Sequence, residues 1–171
     1  MIGIVQGELA DTTAEAVLRP VAADWTAPTP AMRRLEIVTG DGPTKQCQAL
    51  GELPVGSAVI TPAGDLDAQF MIHVVVRSYS EQVSESGIRR GLENGLRRAE
   101  EWGIRRIAMP PLGTGAGNLD PDDSAAIMIP LLLDHFREGG SLREVEIFVD
   151  SDYERDVFER QVTAAGATRS S

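Results

Sequence analysis

The sequence predicts a three-layer α/β/α domain with a mixed, mostly parallel central sheet. Three observations predict it. Short apolar runs with strand character alternate along the chain with stretches of helical periodicity. The run Met71-Ile72-His73-Val74-Val75-Val76 is apolar nearly throughout, as a strand covered on both faces should be. A glycine-rich segment, Gly113 to Asn118, joins a strand to a helix start, the connection at which such sheets hold ligands.

Met1 to Gln6 is a β-branched, apolar strand ended by Gly7-Glu8-Leu9. Asp11-Thr12-Thr13 is predicted to cap a short helical turn, with Glu15 near the capping-box position. Ala16-Val17-Leu18 reads as a brief buried strand that stops at Arg19-Pro20, because proline cannot donate to a ladder. Val21 to Pro30 is too proline-rich for a central strand and is predicted as a loop. Ala31 to Val38 and Lys45 to Leu50 are predicted helices, separated by Gly40-Asp41-Gly42-Pro43.

Ser57 to Thr61 and Gln69 to Arg77 are strands, and His73 within the second reads as a hydrogen-bonded core residue. Ser84 to Trp102 is the clearest amphipathic helix, with Ile88, Leu92, Leu96 and Ala99 on one face. Ile104 to Met109 is a strand stopped by Pro110-Pro111. Asp120-Pro121 reads as N-cap and first helical residue of a helix that is apolar nearly all round and bent at Pro130. Val145 to Asp150 is the last strand, and Asp152 to Ala165 the last helix, with Val157, Phe158 and Val162 inward. One domain is expected over residues 1–167, followed by a frayed tail at 168–171.

Composition narrows the function. A formal net charge of −10 disfavours nucleic acid, whose binding rests on clustered Lys and Arg. Lys45 is the single lysine, so a phosphate site here must rely on backbone donors. Cys47 stands alone and His73 and His135 are far apart, which argues against a disulfide framework and a metal site. No cofactor is expected. No apolar run is long enough to span a bilayer, and the N-terminus lacks the pattern of a secretory signal, so a cytoplasmic location is expected.

The candidate site follows from the glycine loop. Gly113, Gly115 and Gly117 alternate, which lets successive N–H groups point into one anion-binding concavity. From the loop alone, phosphate binding and plain turn chemistry stand about level. It is neither a dinucleotide fingerprint nor a nucleoside triphosphatase loop. Ligands in such folds sit beyond the carboxyl ends of strands. That places Gly7-Glu8-Leu9, the span Arg19 to Trp25 and the Asp150-Ser151-Asp152 turn as further walls of one cleft.

The order of these features resembles a macro domain, the ADP-ribose-binding α/β/α module, over almost the whole chain from Ile2 to about Ala165. The matching residues are Gly7-Glu8-Leu9, where that family has Gly-Asp-Ile; Ser57 to Thr61 followed by Ile72-His73-Val74-Val75; and Pro110 to Gly117, similar to the family's diphosphate loop. The resemblance implies that Glu8 accepts a hydrogen bond from the adenine amino group, with the Leu9 amide assisting. It implies that Gly113, Thr114, Gly115, Ala116, Gly117 and Asn118 hold the diphosphate. Ala22 is carried over from the first ligand loop, and Val149 and Asp150 from the end of the last strand.

The chain also departs from the family. Where that family carries Asn-Ala-Ala-Asn and then a glycine-rich loop, this sequence has Arg19-Pro20-Val21-Ala22-Ala23-Asp24-Trp25 and Thr26-Ala27-Pro28-Thr29-Pro30. Asp24 is the acid left to act as a base. The family's adenine-stacking aromatic aligns with Val149; Phe148 is expected to face the other side, and Tyr153 is a possible replacement. Trp25 either stacks on ligand or covers the core edge.

Three readings follow. The first is a module that binds ADP-ribose or a related adenosine diphosphate, free or carried on an ADP-ribosylated protein. The second is a degenerate member acting through a protein partner. The third is a hydrolase of O-acetyl-ADP-ribose or mono-ADP-ribosyl protein, with Asp24 as catalytic residue.

Overall fold

The computed structural model describes residues 1–170; Ser171, part of the expected tail, lies outside the described residues. The strands are β1 (Ile2–Gln6), β2 (Ala16–Ala22), β3 (Ala58–Pro62), β4 (Phe70–Arg77), β5 (Arg106–Met109) and β6 (Glu144–Val149). The helices are α1 (Pro30–Thr39), α2 (Gly42–Gln48), α3 (Glu85–Glu101), α4 (Pro121–Glu138) and α5 (Asp152–Ser170). One six-stranded sheet has the order β1-β6-β5-β2-β4-β3, with β3 antiparallel to β4 and the remaining pairs parallel. The mixed, mostly parallel sheet is as the sequence predicts.

The period of two along each strand divides the core into layers. Leu18, Ile72, Val74, Ile107 and Ile147 face α3, α4 and α5, where Ile88, Leu92, Leu96, Met128 and Phe158 are fully or nearly fully buried. Val17, Met71, Ala108 and Phe148 face the other way, against Met32 and Leu35 of α1. Val21 and Val75 continue that face toward Cys47 of α2 and Trp25. The α3 stripe forms because Ser84 caps the helix, its hydroxyl accepting from the Gly87 amide at 3.0 Å. Gly91 and Gly95 then bring α3 against β4, since a Cβ at either position would meet a Val74 methyl at 2.5 or 3.2 Å.

Arg19 is 2% exposed in the centre of the sheet, where two of its N–H groups find neutral partners. Its Nε donates to His73 Nδ1 at 2.8 Å, and one terminal nitrogen donates to Thr44 Oγ1 at 3.1 Å. Thr61 donates its hydroxyl proton to the Pro62 carbonyl, so His73 Nε2–H donates to Thr61 Oγ1 at 2.8 Å. His73 is therefore neutral, and burial and the adjacent guanidinium hold it well below the usual histidine range. His73 is the hydrogen-bonded core residue expected from the sequence.

Three local expectations change. The turn predicted at Asp11–Thr13 is a 3₁₀ turn at Leu9–Asp11, and Thr12 ends it, its hydroxyl accepting from the Ala14 amide at 3.1 Å. β2 does not stop at Arg19-Pro20 but continues to Ala22. Proline is tolerated because β5 pairs with β2 only at Ala16 and Val17, leaving one side of β2 without a ladder beyond. α4 runs through Pro130 without interruption, with that proline exposed. Among the described residues no helix is long and apolar enough to cross a membrane.

Candidate functional site

A cleft of about 430 Å³ opens over the C-terminal edge of the sheet. Its position follows from the short β2–β5 ladder. Beyond Val17 and Ala108 the two strands no longer pair, and Pro20 from one side and Pro110-Pro111 from the other line the gap. None of these three has an N–H, so neither strand can extend the pairing and close it.

The glycine loop forms the middle of the cleft. Gly113, Gly115 and Gly117 have φ of 79°, 124° and 79°, left-handed values that glycine adopts without a Cβ penalty. The turn is tied internally by the Leu119 amide donating to Gly113 O at 3.0 Å and the Asn118 amide donating to Gly115 O at 3.1 Å. Among the described residues, the amides of Thr114, Ala116 and Gly117 have no protein acceptor. A Cβ on Gly115 would lie 3.2 Å from the Thr29 methyl, so the loop approaches the start of α1 across the cleft.

One end of the cleft lies beyond β1 and β6. Phe148 is its aromatic wall, packed with Leu9, Met32 and Leu35. At its mouth Arg34 Nε stands 3.4 Å from Glu8 Oε1 and a terminal nitrogen 3.3 Å from Asp150 Oδ1. These side chains are about half exposed, so the ion pairs orient groups more than they stabilise the fold. Glu154 turns back to accept from the Asp150 amide at 2.7 Å, holding the β6–α5 corner. Leu9 sits at the first position of the 3₁₀ turn, where an amide has no intrahelical acceptor.

The candidate residues divide accordingly. Glu8, Leu9, Gly113, Thr114, Gly115, Ala116, Asn118 and Asp150 line the cleft. Gly117 is in the same loop at the rim, exposed and outside the lining. Val149 is fully buried against the α3–α4 layer, and Phe148, which the alignment turned away, is the residue that faces the cleft. The alternation along β6 leaves one side of the strand to each.

Ala22 and Asp24 line a separate shallow depression with Glu52, Arg77 and Tyr79. A tight turn explains this: the Trp25 amide donates to Ala22 O at 2.8 Å and the Ala22 amide to Thr26 O at 3.0 Å. Trp25 takes the left-handed φ of 73° and drives its indole inward to 1% exposure, which leaves Asp24 pointing to solvent. The Trp25 indole donates to Gly51 O at 2.9 Å and packs edge-on to His73, so it covers the core edge and is absent from the cleft lining. The Asp24 carboxylate accepts from the Thr26 hydroxyl at 2.7 Å and the Thr26 amide at 3.1 Å, bonds that hold it below the usual carboxylate range and make it a weaker base. Tyr153 also lies outside the lining, its hydroxyl donating to Asp122 at 2.6 Å.

Among the cleft residues that sequence reasoning missed, which include Val76, Val83 and Glu154, is Arg34. Its one signal is the pair Arg33-Arg34 near the start of a helix that follows a proline-rich loop.

A family model described as Macro domain matches residues 33–128. A macro domain-containing protein of Streptomyces coelicolor is 30% identical over 135 residues, 75% of this chain and 80% of the relative. An uncharacterized protein of Mycobacterium tuberculosis is 31% identical over 134 residues, 77% of this chain and 37% of the relative. The chain thus spans little more than a third of the length of the first curated relatives it matches. In structure, the Oceanobacillus iheyensis macrodomain with ADP is similar at a TM-score of 0.87 and 18% identity, covering 96% of this chain and 91% of that one. The Trypanosoma brucei macrodomain in complex with ADP-ribose is similar at a TM-score of 0.84 and 18% identity, covering 94% and 68%.

Proposed function

Because the chain belongs to the Macro domain family, we propose that its cleft binds ADP-ribose or a related adenosine diphosphate ligand. The observation that carries this reading is the glycine loop, whose Thr114 and Ala116 line the cleft with amides that have no protein acceptor. Such amides bind a diphosphate without a cationic side chain, which suits a chain with one lysine and a net charge of −10. Phe148 offers a ring face for adenine. Glu8 offers an acceptor for the adenine amino group, with the Leu9 amide beside it. Arg34 steadies Glu8 and Asp150 and offsets part of their charge. The names of two structural neighbours, one with ADP and one with ADP-ribose, support the same ligand class.

The ligand group is the same whether it is free or carried on an ADP-ribosylated protein, and a cytoplasmic site of action belongs to the proposal. Hydrolysis is not favoured, since Asp24, the acid that reading requires, lines a different depression. Calorimetry tests the binding. Titration with ADP-ribose is expected to give saturable heat with the wild type and none with Gly115→Glu, whose carboxylate would lie beside the loop amides. No heat from either protein at high micromolar concentration overturns the reading. A thermal-shift panel of ADP-ribose, ADP, NAD and AMP then ranks ligands, each adding about 2.7 kcal/mol at a hundredfold excess over its dissociation constant.

A further inference from the structure

The two ends of the cleft differ in chemistry. Beyond β1 and β6 it carries Glu8, Arg34 and Asp150 beside Phe148. Beyond β2 and β4 it is walled by Pro20, Val76, Val83, Pro28, Pro110 and Pro111, all apolar. Thr29 adds a polar side chain there at the start of α1; its oxygen accepts from the Met32 amide at 3.3 Å and its O–H remains a donor. Thr114 and Asn118 belong to the glycine loop between the two ends, and Asp120 follows them at the start of α4. Pro20 and Val76 are held by the strands themselves, and Val83 lies against the glycine loop, within 3.2 Å of where a Gly113 Cβ would be. The apolar wall is thus part of the scaffold and cannot turn away to expose polar groups.

We propose that this β2–β4 end accepts an apolar group carried on the terminal phosphate of the nucleoside diphosphate, in preference to a bare ribose. This rests on the reading of the cleft as an adenosine diphosphate site. The glycine loop holds the diphosphate in the middle and the base lies against Phe148, so whatever extends from the terminal phosphate enters the proline and valine end. Ribose hydroxyls that leave water for this wall find few partners, and a buried hydroxyl without a hydrogen bond costs more than it gains. A ring or aliphatic group gains by burial in the same space. The ligand class is therefore an adenosine diphosphate ester of an apolar alcohol.

Calorimetry on the purified chain with ADP, ADP-ribose and the β-benzyl ester of ADP tests this. The benzyl ester is expected to bind about tenfold or more tighter than ADP. ADP-ribose is expected to bind within about threefold of ADP. In Val83→Thr, which keeps the side-chain shape and adds a hydroxyl, the ratio of ester to ADP-ribose affinity should fall severalfold. ADP-ribose binding as tightly as the benzyl ester or tighter, in the wild type, overturns the inference and leaves the diphosphate site standing. If none of the three binds, the diphosphate site itself is wrong and the subsite falls with it.

Discussion

Alanine at Gly113 and at Gly117 should separate the two costs that glycine avoids in the cleft loop. Both residues hold φ at 79°, so each alanine meets the left-handed penalty of about 1–2 kcal/mol. Their surroundings differ. A Cβ on Gly113 would stand 2.9 Å from both Cγ1 and Cδ1 of Ile88 and 3.2 Å from Val83 Cγ1, whereas one on Gly117 meets nothing within 4 Å. Ile88 is fully buried on α3, packed into the core shared with Leu92 and Met109. Overpacking at such a site adds about 1–3 kcal/mol. Gly113→Ala is therefore expected to cost about 2–5 kcal/mol and Gly117→Ala about 1–2 kcal/mol. Urea unfolding reads the difference as a larger fall in midpoint for Gly113→Ala at an unchanged slope. Equal losses in the two variants would refute the packing of the β5–α4 loop against α3, and with it the rigidity assigned to the diphosphate cradle.

Two further predictions concern charged groups in the scaffold. Burial alone would raise the Glu100 carboxyl, but hydrogen bonds from the Ser141 amide, His135, the Ser141 hydroxyl and the Leu142 amide outweigh it and hold the group at about 2. Its folded value is depressed, so its stabilisation is complete above the ordinary 4.5 and is lost as pH falls through about 2. Glu100→Gln should cost about 1.5–3 kcal/mol at neutral pH, and urea melts should show that gap nearly closed at the acid limit. His73→Phe leaves the buried Arg19 Nε without its acceptor and should cost about 1.5–3 kcal/mol. The wild type, whose depressed histidine stays neutral when folded, should also lose stability as pH falls below the ordinary 6.5. His73→Phe should lack that dependence; a parallel slope in melts from pH 7 to pH 5 would remove His73 as its source.

Much of the architecture is written in local patterns. The α3 stripe of Ile88, Leu92, Leu96 and Ala99 and the apolar β4 run each state their own burial, because helix and strand periods are properties of neighbouring residues. The glycine loop was legible for the same reason: alternate glycines before an Asp-Pro helix start have a local conformational meaning. Pro20 was misleading because its cost depends on whether another strand lies alongside, which no window around Arg19-Pro20 contains. Val149 and Phe148 were exchanged because register in β6 is set by its pairing with β1 and β5.

By itself the sequence determined the layers, the element order and a loop of main-chain donors suited to an anion. The tertiary structure decided which side chains share the space around that loop. It brought Arg34 of α1 to Glu8 and Asp150, residues 26 and 116 positions away in the chain. It carried Asp24 out of the cleft by turning Trp25 inward, and it set Pro20 of β2 opposite the two prolines that follow β5, so that the sheet stays open between them. The physical reason is range. Backbone conformation is chosen within a few residues, whereas a site is made where distant segments converge, and their convergence is decided by how the whole chain buries its apolar surface.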